Sequence, residues 1–235
     1  MKVKLFALTL IVLFTAPHIC AQKRSQDNSK IGLGLYGGIN LQNLNGSDFW
    51  GEKLENDLIL GFHGGLNYNL PVAPDFYFQP GVIFNMKGAK KDVMNVPQKA
   101  DNSIVTTIKL SYIEVPLSLL YRPQLGDGHI LLGFGPYVAY GIAGNVKTSA
   151  NGQTEETEVK FKNTVTSEDP SDVIFFRALD AGANIFFGYE FYFGLFCQME
   201  AQLGLLKVNP EYELLANDKT SYKNTGFGLS VGYRF

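Results

Sequence analysis

The chain has 235 residues, a formal net charge of −2, 46% hydrophobic residues, 13% aromatics and 25 glycines. There is no basic excess to suggest nucleic acid, and after the first twenty-odd residues no apolar run approaches the roughly 18 residues a membrane-spanning helix needs. Mean hydropathy near zero agrees with that exclusion but leaves open a barrel, whose strands alternate apolar and polar residues and so average to neutral.

At the start, Lys2 and Lys4 precede an apolar run from Leu5 to Ala16, too short to cross a bilayer as a helix and typical of a signal-peptide core. Ala21 offers a small residue before a cut, so residues 1–21 read as a cleaved signal peptide; Ile19 at the −3 position leaves the bond itself unfixed. His18 and Ile19 stand where a lipobox has small side chains, which argues against lipidation at Cys20. Losing Lys2 and Lys4 takes the charge from −2 to −4, and Cys197 is then the sole cysteine, so no intramolecular disulfide is possible. Residues 22–30 form a short polar segment, and 31–235 read as one domain.

Period-two alternation marks eight segments, near 31–43, 58–70, 76–88, 107–122, 129–146, 176–187, 192–208 and 223–235. Each is long enough for a tilted strand, about 9–11 residues, to cross a bilayer. Their connections alternate. Pro71–Asp75, Pro123–Gly128 and Gly188–Glu190 read as tight turns, while 44–57, 89–106, 147–175 and 209–222 read as long polar loops. The fold expected is all-β: an eight-stranded antiparallel up-and-down transmembrane β-barrel in a Gram-negative outer membrane, with both termini periplasmic.

Faces follow strand by strand. Leu60, Phe62 and Leu66 face lipid in the second strand while His63, Gly65 and Asn67 face the lumen; Met199, Ala201 and Leu203 oppose Gln198, Glu200 and Gln202 in the seventh. The last strand carries Phe227, Leu229, Val231, Tyr233 and a terminal Phe235 on its lipid face, the pattern expected to engage the outer-membrane assembly machinery. Pro80, Pro116 and Pro136 fall inside strands and lead us to expect bulges or bends there.

Eight strands enclose a space that side chains fill. The lumen is expected to carry Lys87, Glu114, Asp180, Glu200 and Arg234, with Arg122 at the periplasmic end and Tyr36, Tyr112 and Tyr137 as bulk. Mixed charges in so narrow a space favour a structural pairing network, because an unpaired one costs several kcal/mol. A narrow small-solute channel is the rival reading. Catalysis has little support: His63 and His129 are the only histidines after residue 21, and neither neighbours a nucleophile in the sequence. The acidic stretch holding Glu155, Glu156, Glu158, Glu168, Asp169 and Asp172 has no metal-loop spacing and reads as a solvated loop. No catalytic, cofactor or metal residue is therefore assigned. Trp50 lies in the first long loop.

Several stretches carry a resemblance: Phe78-Gln79-Pro80-Gly81-Val82 running on to Met86-Lys87-Gly88-Ala89-Lys90, Leu110-Ser111-Tyr112-Ile113-Glu114-Val115-Pro116-Leu117, Gly133-Phe134-Gly135-Pro136-Tyr137, and Gly232-Tyr233-Arg234-Phe235. Through these the chain resembles the PorT-type, "porin family" outer-membrane β-barrel proteins over nearly all of 31–235. The resemblance implies an outer-membrane barrel. One member type assists protein secretion and most carry no assigned activity. The function expected is non-enzymatic: a structural or interaction platform acting through long extracellular loops, with a component of an envelope secretion machine as the alternative. The lipid bilayer and an envelope protein are the partners implied.

Overall fold

The structure, a computed structural model, describes residues 32–94, 103–150, 152–215 and 218–235. The expected signal peptide and residues 22–30 lie outside the described residues. Eight strands form the wall: β1 Leu33–Ser47, β2 Ile59–Tyr68, β3 Phe76–Met94, β4 Ser103–Tyr121, β5 Gly128–Ala150, β6 Leu179–Glu190, β7 Leu195–Gly204 and β8 Ser221–Arg234. Each pairs antiparallel with the next. β8 closes the ring on β1, from Gly34↔Arg234 to Ser47↔Ser221. Closure matters energetically, because an open edge in hydrocarbon leaves backbone groups unpaired at several kcal/mol each.

The alternation in the sequence becomes two surfaces. Leu60 and Phe62 are 62% and 53% exposed on the outside, while His63, the residue after Phe62, is 3% exposed and points inward. Leu229 and Val231 stand outward on β8, as does Phe235 just beyond it, and Ser230 and Arg234 are buried inside. The outer wall is one apolar belt, and the protein sits in the lipid bilayer.

Three expectations are corrected. Gly188–Glu190 is not a turn: β6 continues through Glu190, and the turn is Phe191–Gly194, closed by Gly194 at φ 96°. Glu190 stays in the strand because its inward carboxylate meets two arginines. The stretches 89–106 and 147–175 are not simply loops. β3 and β4 extend to Met94 and from Ser103, and β5 runs to Ala150 and turns back into a further strand, Gln153–Phe161. Val146 and Val159 are buried on the inner side of this extension, which gives it a reason to persist above the belt. Pro80, Pro116 and Pro136 produce no bulge. Pro80 and Pro136 pair in unbroken register, and beyond the last β2–β3 pair, Asn67↔Gly81, the short strand Leu70–Ala73 takes up the same register at Leu70↔Phe78. A missing N–H removes one bond, and the rows on either side hold the register. The recorded shifts fall instead at Ser111/Tyr112, opposite an extra residue, Ile142, and between Pro71 and Ala73, where the short strand Leu70–Ala73 turns into β3.

Candidate functional site

Two regions beyond the wall carry chemistry: the lumen and the end of the barrel that bears the long connections. Along the lumen, side chains form layers. At the turn end Arg122 and Arg234 both bind Glu190, at 2.8 and 2.9 Å, and Arg234 also donates to Asn67 Oδ1 at 3.1 Å. Above them lies an apolar layer of Tyr36, Tyr77, Ile83, Leu120, Leu131, Phe186 and Phe196. Phe186 packs on Gly133, where an added Cβ would meet its ring at 2.1 Å, so this layer has no slack.

The next layer is polar. Lys87 Nζ lies 2.8 Å from Glu114 and 3.0 Å from Asp180, all three within 1% of fully buried, and 4.2 Å from the Tyr137 ring centre. Asn85 and Gln202 donate to Glu114; Asn224 and the Tyr137 hydroxyl donate to Asp180. His63 Nε2 is 2.7 Å from Ser230 Oγ and 3.9 Å from Glu200. A second apolar cluster, including Leu44, Leu110, Tyr112, Val146, Val159 and Phe176, covers this layer toward the loop end. Of the charged residues expected in the lumen, the structure therefore brings Lys87, Glu114 and Asp180 together, sets Glu200 beside His63, and separates Arg234 at the turn end. Sequence reading missed Glu190. Its signal was the inward phase Phe186, Gly188, Glu190, masked by the turn-like glycine.

At the loop end the third and fourth connections brace each other. Thr164–Val165 pairs parallel with Glu211–Tyr212, and Arg177 N donates to Val208 O at 2.8 Å. Between them lies a cavity of about 610 Å³ with Arg177, Lys207, Tyr212, Glu213 and Asp218 on its walls. Arg177 Nη2 binds Glu211 at 2.7 Å while its buried Nε has no partner. Burial, with Asp218 adding, pushes the Tyr212 hydroxyl above its ordinary range. Lys162 donates to Asp169 and holds its carboxyl below the usual carboxylate range, and Lys147 and Asn145 do the same for Glu156. The acidic stretch is thus partly paired rather than simply solvated. Trp50 is 75% exposed with its ring edge-on to Phe49. His129 is half-buried at the turn end, opposite Glu190 in the ladder. Among the described residues no group of three or more His, Cys, Asp or Glu is arranged to hold a metal.

No curated protein matches the chain. Solved structures similar to it include Ail, the attachment invasion locus protein of Yersinia pestis, at 13% identity and TM-score 0.37, covering 87% of this chain and 99% of that one. The same protein in complex with the heparin analogue sucrose octasulfate gives 14% identity, TM-score 0.36 and the same coverage. The toluene transporter TodX of P. putida gives 8% identity and TM-score 0.18 over 87% of this chain and 90% of that one. The family model described as outer membrane protein beta-barrel domain matches residues 20–209. With that match over most of the chain and a closed eight-stranded ring, the chain belongs to the outer membrane protein beta-barrel domain family.

Proposed function

We propose that the protein is a non-enzymatic interaction platform of the Gram-negative outer membrane, which holds its partner at the loop end. The observation that carries this reading is the braced third and fourth connections, which line a half-open pocket of about 610 Å³ with both polar and apolar walls. A cavity of that size with a few convergent polar groups suits recognition of a ligand or partner group. Braced loops lose little entropy on binding. The lumen chemistry argues against a solute channel, since ion pairs and two apolar clusters occupy the space a solute would need. In this reading the tight turns and both termini face the periplasm, and the lipid-facing Phe227 to Phe235 row engages the assembly machinery.

A photo-crosslinking amino acid placed at Tyr212, and separately in the Phe191–Gly194 turn, tests it in intact cells. The platform reading expects a defined macromolecular adduct from position 212 that Arg177→Ala reduces while the barrel still folds. Adducts confined to the turn end would instead favour a PorT-like role in a secretion machine, with contacts on the periplasmic side.

A further inference from the structure

The wall leaves the membrane at one level on two neighbouring strands. The lipid-facing row of β1 ends at Leu41 and goes on as Asn43, Asn45 and Ser47, and the row of β8 paired with it passes from Phe227 to Thr225, Lys223 and Ser221. The six residues from Leu41 to Ser47 span roughly 20 Å along the strand, or about 15 Å of height at the usual tilt. A headgroup layer is only about 6 Å deep on each side of the hydrocarbon. Trp50, in the turn that follows Ser47, therefore stands clear of the lipid and is no membrane anchor, although it is 75% exposed. That turn is fixed. Asp48 Oδ1 accepts from the backbone amides of Trp50 and Glu52 at 3.0 and 2.9 Å, and Asp48 N donates to Glu52 O at 2.9 Å. Phe49 braces the indole with its ring at 89°. A large aromatic surface is thus held rigid in water, where a ligand loses little by meeting it.

The same turn adjoins the loop-end pocket. Gly51 rests on Lys219, whose Cδ an added Cβ would meet at 3.0 Å, and Ser47 Oγ donates to Lys219 O at 2.8 Å. Asp218, the residue before Lys219, is a wall of the pocket. Tyr222 feels both sides: burial first, then Tyr212, Asp218 and Asp48, push its hydroxyl above the ordinary range. The pocket adds a second aromatic surface, Tyr212, which is 40% exposed. Its walls also offer free polar groups of both kinds. Among the described residues the Lys207 amine and the Glu213 carboxylate have no partner, and the Thr164 hydroxyl stands beside them on the lining. Charge disfavours an anion here. The walls carry Arg177 and Lys207 against Glu211, Glu213 and Asp218, and the turn carries Lys53 against Asp48 and Glu52.

We propose that this surface binds a neutral saccharide chain, with ring faces against Trp50 and Tyr212 and hydroxyls on the pocket walls. The proposal rests on the loop-end reading above and names the chemistry of the partner. A sugar ring presents an apolar C–H face that suits an aromatic side chain, and a rim of hydroxyls that each donate and accept. It therefore satisfies Lys207 and Glu213 alike, whereas a charged ligand group satisfies one and is repelled by the other. A folded protein partner would bury a fully apolar patch core, and the pocket instead mixes polar and apolar walls.

Trp50 is the only tryptophan of the chain, so tryptophan emission reports its contacts alone. The test uses the full mature protein folded in phosphatidylcholine vesicles. It is titrated with maltohexaose, cellohexaose, mannohexaose and chitohexaose, and with a heparin hexasaccharide as the anionic arm. At least one neutral chain is expected to shift the emission to the blue and to shield Trp50 from acrylamide, saturably, while the heparin fragment has no effect. Calorimetry then reads the variants, and Trp50→Ala and Tyr212→Ala are each expected to weaken binding about tenfold. Both side chains are exposed, so the barrel is expected to fold in each variant, as heat-modifiable migration on a gel checks. The proposal is overturned by no response to any of the four neutral chains. It is also overturned by tighter binding of the heparin fragment, or by an affinity that neither variant changes. If the neutral chains fail while the crosslinker at position 212 still captures a protein, the loop-end reading stands and this inference falls. If both fail, both fall.

Discussion

Replacing Lys87 with Met probes the polar layer most sharply. The lysine is fully buried and bridges Glu114 and Asp180 at 2.8 and 3.0 Å. Removing it strands two buried carboxylates, a change that typically costs about 3–5 kcal/mol. Both acids keep other donors, Asn85 and Gln202 for Glu114, Asn224 and Tyr137 for Asp180. Those charge-assisted bonds put the loss near the lower end, about 3 kcal/mol, or roughly a hundredfold in the folding equilibrium. Urea titration in lipid vesicles reads it directly. A compensated variant, Lys87→Met with Glu114→Gln and Asp180→Asn, removes all three charges and is expected to recover to within about 1 kcal/mol of the parent. A loss below about 1 kcal/mol for Lys87→Met alone, or no recovery in the compensated variant, refutes the claim that this cluster is a tightly coupled buried network.

Leu229→Arg sets a charge in the lipid-facing row of β8, and in the same titration it is expected to cost about 2–4 kcal/mol, while Leu229→Ala costs far less. Gly133→Val forces a side chain into the Phe186 ring and is expected to cost about 1–3 kcal/mol, with partial recovery when Phe186→Leu is added. The Asp169 carboxyl is held low by Lys162, so its contribution is present above the ordinary carboxylate range and lost as pH falls through its depressed value. Hydrogen exchange over residues 162–169 should therefore rise at strongly acidic pH, and Asp169→Asn should raise it already at neutral pH; unchanged exchange in that variant removes the bond from the account.

The wall was legible because a strand between lipid and lumen has no choice of phase. Leu60, Phe62 and Leu66 against His63, Gly65 and Asn67 admits one register, since a slip by one residue turns every leucine inward. The lumen residues were legible for the same reason, but their partners were not. Which carboxylate Lys87 reaches depends on strand stagger, which alternation along one strand does not encode. The turn after β6 was misplaced because Gly188 has turn chemistry and Phe191-Tyr192-Phe193 has strand chemistry, while the inward pull of Arg122 and Arg234 on Glu190 comes from distant strands. The strand extensions beyond the belt were read as loops because polar residues there face water on one side. Buried apolar side chains within those stretches, such as Ala89, Val159 and Phe175, distinguish them, and those matter once the neighbouring strands are in place.

The central claim is that the barrel is filled and acts through its loop end rather than through its lumen. Planar-bilayer recording of the purified, folded protein tests this most directly. The account predicts no steady unitary current from the folded monomer over a range of salts. A steady conductance that Glu114→Gln or Glu200→Gln alters would contradict it, because ions would then be passing through the layers described as packed.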